Sequence, residues 1–128
     1  MQSLEECRRQ VADLFPERRA EVTSLGLIDL SCLISGRVVE ALGDGQHAVA
    51  VRAARLASWA WERGRHDESL THFAMDVLSE SVRREPLRRE LWHALPEDLF
   101  RILLPAFCGA LRRDAVAELE REYRHVVR

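Results

Sequence analysis

Lysine and asparagine are missing altogether, and the 19 basic residues among 128 are all arginine. Without lysine there is no Schiff base and no Walker-type phosphate loop, since both need the ε-amino group. No excess of one charge is present either. The 19 basic and 21 acidic residues leave a formal net charge of −2, which excludes a polycationic nucleic-acid binder. Long apolar runs are also lacking. The most apolar stretch, residues 25–42, is interrupted by Asp29 and Arg37 and falls short of the roughly 18–20 uninterrupted apolar residues of a bilayer span, so no membrane contact is expected. Three cysteines, Cys7, Cys32 and Cys108, are odd in number and far apart. Each has Val, Leu or Ile nearby, which predicts buried free thiols and a reducing compartment. Residues 1–9 place acids early and hold no apolar h-region, so no secretory signal is expected and the cytoplasm is the expected location.

What is present suits a packed helical domain. Hydrophobic residues make up 47% and charged residues 31%, too apolar for a disordered chain. Ser3-Leu4-Glu5-Glu6 has the spacing of a capping box, and Leu4, Cys7, Val11 and Leu14 share one helical face, predicting a first helix from about residue 4 to Phe15. Pro16 then opens a short segment through Val22. Leu27, Ile28, Leu30, Leu33, Ile34, Val38, Ala41 and Leu42 cover more than half of a helix circumference, which predicts a central, buried helix stopped by Gly43-Asp44-Gly45. A third helix is expected over 47–63, with a narrow stripe of Val49, Ala53, Leu56 and Ala60 and a stop at Gly64. Asp67 can cap a fourth, whose apolar face runs from Leu70 to Val82. Pro86 and Pro96 begin two more, Pro105 kinks or restarts the second of these, and Asp114 caps the last, with Val116, Leu119, Tyr123 and Val127 on its face. No alternating β-branched run occurs between turn signals. The expectation is one all-α domain over residues 1–128, six to eight short helices in an irregular bundle or in stacked antiparallel helical hairpins.

No constellation matches a catalytic template. Glu62, His66, Asp67, His72 and Asp76 are the densest metal-capable side chains, but they match neither His-Glu-x-x-His nor a calcium loop, and His72 and Asp76 read as a solvated i, i+4 pair. The serines lack the glycines of a nucleophile elbow, and Cys–His catalysis would need a cysteine outside the core. No catalytic residue, metal or cofactor is therefore expected. Arg83, Arg84, Arg88 and Arg89 form the one basic patch, interleaved with Glu80, Glu85 and Glu90 at pairing distances, which reads as a salt-bridged surface. Trp59 and Trp61 flank the third helix's stripe by about 100° each, so both are buried by a wide face or one is offered to a partner. Gly64 ends one helix and Asp67 caps the next, which sets their exposed faces side by side. Trp61, Glu62, Asp67, Glu68, Asp76 and Glu80 are accordingly expected to form an acidic, aromatic partner-binding surface.

Two resemblances bear on function. Ala57, Ala60-Trp61, Gly64, Ser69 and Phe73 stand where a tetratricopeptide hairpin carries its signature positions, so residues 53–82 look like one such hairpin, with no second copy in the chain. Most of the chain also resembles small all-helical bacterial immunity-type proteins. That resemblance rests on Leu14-Phe15-Pro16-Glu17, Val38-Val39-Glu40-Ala41-Leu42, the acidic turn from Gly64 to Glu68, and Leu103-Leu104-Pro105. Two positions depart from it: His72 stands where a polar amide is expected and Leu78 where an aromatic is expected. The resemblance implies a non-catalytic protein that binds and neutralises a cognate toxin, and the acidic surface would suit a basic one. The alternative is a helical accessory subunit of a larger assembly, such as a nucleoprotein complex in which Arg83 to Arg89 touch phosphate; direct capture of nucleic acid is not expected.

Overall fold

The computed structural model describes residues 2–127, and among these the chain is all-α without a strand. Helix α1 spans Gln2–Leu14, followed by a 3-10 turn over Pro16–Arg18 and α2 over Arg19–Val22. Then come α3 (Leu27–Gly43), α4 (His47–Arg63), α5 (Glu68–Val77) and α6 (Ser79–Arg83). Helices α7 (Glu85–Ala94), α8 (Glu97–Leu111) and α9 (Val116–Val127) complete the irregular bundle. The breaks follow local chemistry. Gly45 takes φ of +73°, the left-handed conformation that glycine adopts without a Cβ penalty, and so lets α3 turn back into α4. Asp67 accepts a hydrogen bond from the Ser69 amide at 3.0 Å, and Asp114 accepts one from the Val116 amide at 3.2 Å, capping α5 and α9.

Several expectations need correction. Ser3 lies inside the first turn of α1 rather than before it, and its hydroxyl meets the Asp67 carboxylate. The helix expected to run unbroken to Val82 stops at Val77, because the Ser79 hydroxyl donates to the Asp76 carbonyl at 3.0 Å and competes with the helical ladder. Helix α8 runs on through Pro105, an exposed position, so no new helix starts there. On α9, Leu119 and Tyr123 are buried, but Val116 and Val127 are exposed, and the packed face is completed by Ala115 and Val126.

Helix α4 explains the arrangement of its neighbours. Its Ala50, Ala53, Ala54, Ala57 and Ala60 are each fully buried, and small side chains let neighbouring axes approach closely. Helices α1, α3, α5, α7 and α8 all pack on it. One contiguous apolar cluster extends from Cys7 to Tyr123. Trp92 is its largest fully buried side chain, edge-on to Phe100 at 5.0 Å between ring centroids, while Phe100 stacks on Tyr123 at 4.0 Å. Trp59 and Trp61 of α4 both pack against this cluster but are only half-buried, so neither is a fully buried core residue.

A buried polar network locks the C-terminal half. Arg88 grips Glu122 with two parallel bonds of 2.7 and 3.1 Å and donates a third to the Val82 carbonyl at 2.9 Å. Trp92 donates its indole N–H to the same carboxylate at 2.7 Å. Burial pushes the Glu122 carboxyl up, but the bonds from Arg88 and Trp92 and the Arg88 charge outweigh it and hold the group below the ordinary carboxylate range.

Two outcomes follow. Because the folded carboxyl of Glu122 titrates below its unfolded value, its contribution is complete above the ordinary carboxylate range and is lost as pH falls through the lower folded value. Chemical denaturation of Glu122→Gln should therefore show a loss of about 3 kcal/mol at pH 7 and a shallower fall in stability on acidification than the wild type. The second outcome concerns glycines of opposite sign. A Cβ on Gly64 would run into the Thr71 side chain across the α4–α5 turn and stand 3.1 Å from the Thr71 amide nitrogen, whereas one on Gly36 meets nothing within 4 Å. Gly64→Ala should lower stability by about 1–3 kcal/mol, and Gly36→Ala, in mid-helix, should raise it by about 0.5–1 kcal/mol, both read from denaturation midpoints.

Candidate docking groove between α3 and α5–α6

The solvent side of α3 is not the charged face that an amphipathic surface helix shows. Ile28, Cys32 and Gly36, spaced i, i+4, i+8, are all exposed, and Ile28 is 76% accessible. This corrects two expectations: Ile28 does not belong to the core, and Cys32 is not a buried thiol. Cys7 is buried as expected, and burial pushes its thiol up to about 12, far from thiolate chemistry; Cys108 is half-buried. Helix α3 carries more apolar surface than its packing uses. Ile34, Val38 and Leu42 face the bundle, and the surplus faces outward.

Alongside this stripe lies an open groove whose opposite wall is α5 and α6. Its first half, about 710 Å³, is lined by Leu4, Leu27, Ile28 and Phe73 and by the carboxylates of Asp29 and Asp76, with His72 at its edge. Its second half, about 550 Å³, shares Ile28, Ser31 and Asp76 with the first and continues past Cys32, Ser35 and Gly36 to Glu80, Arg83 and Arg84. The Asp29 end of α3 thus faces Ser69 and His72, and its Gly36 end faces Arg83 and Arg84, so α3 and α5–α6 run in the same direction. Ser31 and Ser35 are buried, and the Ser31 hydroxyl is held by the Ile28 carbonyl at 2.7 Å. In the second half the α3 side is made mostly of short side chains, Ser31, Cys32, Ser35 and Gly36.

The acidic surface expected from the sequence is only partly assembled. Asp76 and Glu80 meet on the α5–α6 wall. Glu68 lies outside the groove, 3.7 Å from His72. Asp67 is engaged as a cap, and the Ser3 hydroxyl together with the Ser69 amide holds its carboxyl below the ordinary range. Trp61 and Glu62, at the far end of α4, line neither half of the groove. Glu62, His66, Asp67, His72 and Asp76 do not converge: among the described residues no group of three or more His, Cys, Asp or Glu could share one ion.

The basic patch is also dispersed. Arg88, expected on the surface, is 8% exposed and faces Glu122, because the turn before α7 aims it inward. Arg84 pairs with Glu80 and Arg89 with Glu85, each at 3.3 Å, as their spacing predicts. Arg83 donates its Nε–H to the Ala110 carbonyl at 3.0 Å, and Glu90 turns to His47 at 3.5 Å.

Sequence reasoning missed Ile28, Asp29, Cys32 and Gly36. One signal was present. A glycine in the middle of a helix costs roughly 1 kcal/mol relative to alanine, and α3 carries Gly36 where no neighbour requires it. No protein-family model, no curated protein and no solved structure matches this chain.

Proposed function

We propose that the protein is a non-catalytic, cytoplasmic module that binds another protein, and that it acts as an immunity-type inhibitor of a toxin. The observation that carries this reading is Ile28, a large aliphatic side chain 76% exposed in a groove bordered by Asp29 and Asp76. Exposed apolar surface rimmed by polar groups is the ordinary signature of a protein-docking site. The three thiols, none in a disulfide, suit a reducing compartment. No helix among the described residues is long and apolar enough to cross a membrane. The accessory-subunit alternative has less support. It needs Arg83, Arg84, Arg88 and Arg89 free for phosphate, and Arg88 is held in the interior while Arg84 and Arg89 have carboxylate partners.

A photo-crosslinking side chain at Ile28, compared with one at the exposed Val116 of α9, tests the reading in the native cell. One partner should be captured at Ile28 and not at Val116. Titration of that purified partner should show at least about tenfold weaker binding for Ile28→Asp and for the double reversal Asp76→Arg/Glu80→Arg, with unfolding midpoints within a few degrees of wild type. Expression of the partner should arrest growth, and wild-type protein but not Ile28→Asp should restore it. Unchanged affinity of the variants would remove the groove as the interface, and a harmless partner would remove the inhibitor reading.

A further inference from the structure

We infer that α9 is an exchangeable arm, which swings out on the link between α8 and α9 and seats on α7 and α8 of a second copy of this chain, giving an arm-exchanged dimer. The inference is independent of the groove and of the reading of function.

The link between α8 and α9 runs against its own sequence. Elsewhere the chain turns on residues that break or start a helix: Gly43 and Gly45 between α3 and α4, Gly64 between α4 and α5, and Pro86 and Pro96 at the starts of α7 and α8. The link Arg112-Arg113-Asp114-Ala115 holds neither glycine nor proline. Its turn is made by Arg112 at φ +59° and ψ +34°, the one non-glycine residue at positive φ among the described residues. A Cβ disfavours that conformation, which glycine adopts freely. Arginine and alanine are instead among the best helix formers, so the local preference of the link is to carry α8 straight on into α9. Short links held against such a preference invite the exchange of an element between copies.

The seat of α9 is specific, and it is confined to the neighbouring elements α7 and α8. Within the helix only Leu119 and Tyr123 are fully buried. The rest of the hold is directional. Glu122 accepts from Arg88 and from the Trp92 indole N–H, while Tyr123 donates to the Leu95 carbonyl at 2.6 Å and stacks its ring on Phe100. An arm that merely opens leaves Arg88 in the interior without its carboxylate, which is costly. The identical arm of a second copy restores each of these contacts, so only the link differs between the two forms. The balance between monomer and dimer is therefore set within residues 112–115. Two contacts favour the closed turn: Asp114 caps α9 through the Val116 amide at 3.2 Å, and Arg113 pairs with Glu118. That pair is exposed and contributes little. The closed monomer prevails at low concentration, where the lost freedom of a second molecule outweighs the strain relieved in the link.

The test holds the full-length protein at about 1 mM in denaturant just below its unfolding midpoint, so that arms open, and then sizes it by gel filtration with light scattering after return to buffer. Wild type should yield a dimer. Arg112→Gly, which removes the strain from the closed turn and interrupts a continuous helix, should weaken dimerisation at least about tenfold. Asp114→Ala, which removes the cap and favours a continuous helix, should strengthen it at least about fivefold. Two charge variants separate exchange from a dimer through any other surface. Arg88→Glu and Glu122→Arg each set like charges against one another within a single chain. Refolded together from denaturant, they should pair one to one, the Glu122 arm of the first seating against Arg88 of the second, whereas neither should form such a dimer alone. Joint refolding reads this out even where each variant alone fails to fold. A wild type that stays monomeric throughout, a dimer indifferent to both link variants, or charge variants that refold together without pairing overturns the inference.

Discussion

The close approach of helices to the alanine-lined α4 sets the rest of the architecture. Five alanines with no exposed surface let α1, α3, α5, α7 and α8 share one central helix. Larger side chains there would push the neighbouring axes outward and open voids that a core packed to crystal-like density does not tolerate. Short turns at Gly43 to Gln46 and Gly64 to Asp67 then make α3 and α5 run the same way, side by side on α4. Two parallel helices drawn onto a common third leave a furrow on the side away from it. That furrow is the groove, and its existence is a consequence of packing rather than of any residue that lines it.

The C-terminal half depends on a different kind of interaction. Arg88, Glu122 and Trp92 bring a charge pair and an indole N–H together under the aromatic cluster, with nearly every donor matched. Buried pairs of this kind are weak contributors to net stability but strict about geometry, because either partner left alone in the interior is costly. Here the geometry fixed is the seat of α9 on α7. Tyr123 reinforces it by donating to the Leu95 carbonyl at 2.6 Å. At the other end, Arg52 donates to the Leu14 carbonyl at 2.9 Å and lies over the Phe15 ring, closing the end of α1 onto α4. Arg88 and Arg52 thus tie the two ends of the bundle.

The groove joins two features that a self-sufficient monomer does not need. One is apolar surface left outside on α3, and the other is a mid-helix glycine with no internal neighbour. A mid-helix glycine costs a little stability, and exposed apolar surface a little solubility. Both lie on the outward face of α3, where the proposed reading of function meets the fold.

Local rules were enough to determine most of the helices of this protein, though not the break between Val77 and Ser79. Residues 47–63 as one helix, Asp67 and Asp114 as caps, Gly43-Asp44-Gly45 as a stop and the break at Pro16 all follow from backbone chemistry within a few residues, and all are observed. The Arg84–Glu80 and Arg89–Glu85 pairs are equally local, since i, i+4 neighbours meet on any helix. What lay beyond the sequence was which face of each helix finds a neighbour. Periodicity shows that α3 is apolar over more than half its circumference, but only the positions of α4, α5 and α6 decide that Ile34 and Val38 are covered while Ile28 and Cys32 are not. In the same way nothing near Arg88 in sequence separates it from Arg84. Its inward turn is decided by Glu122, 34 residues away, and by the interior that surrounds them both. The candidate site was legible only as Asp76 and Glu80, because a groove is a relation between helices and leaves no period in any one of them.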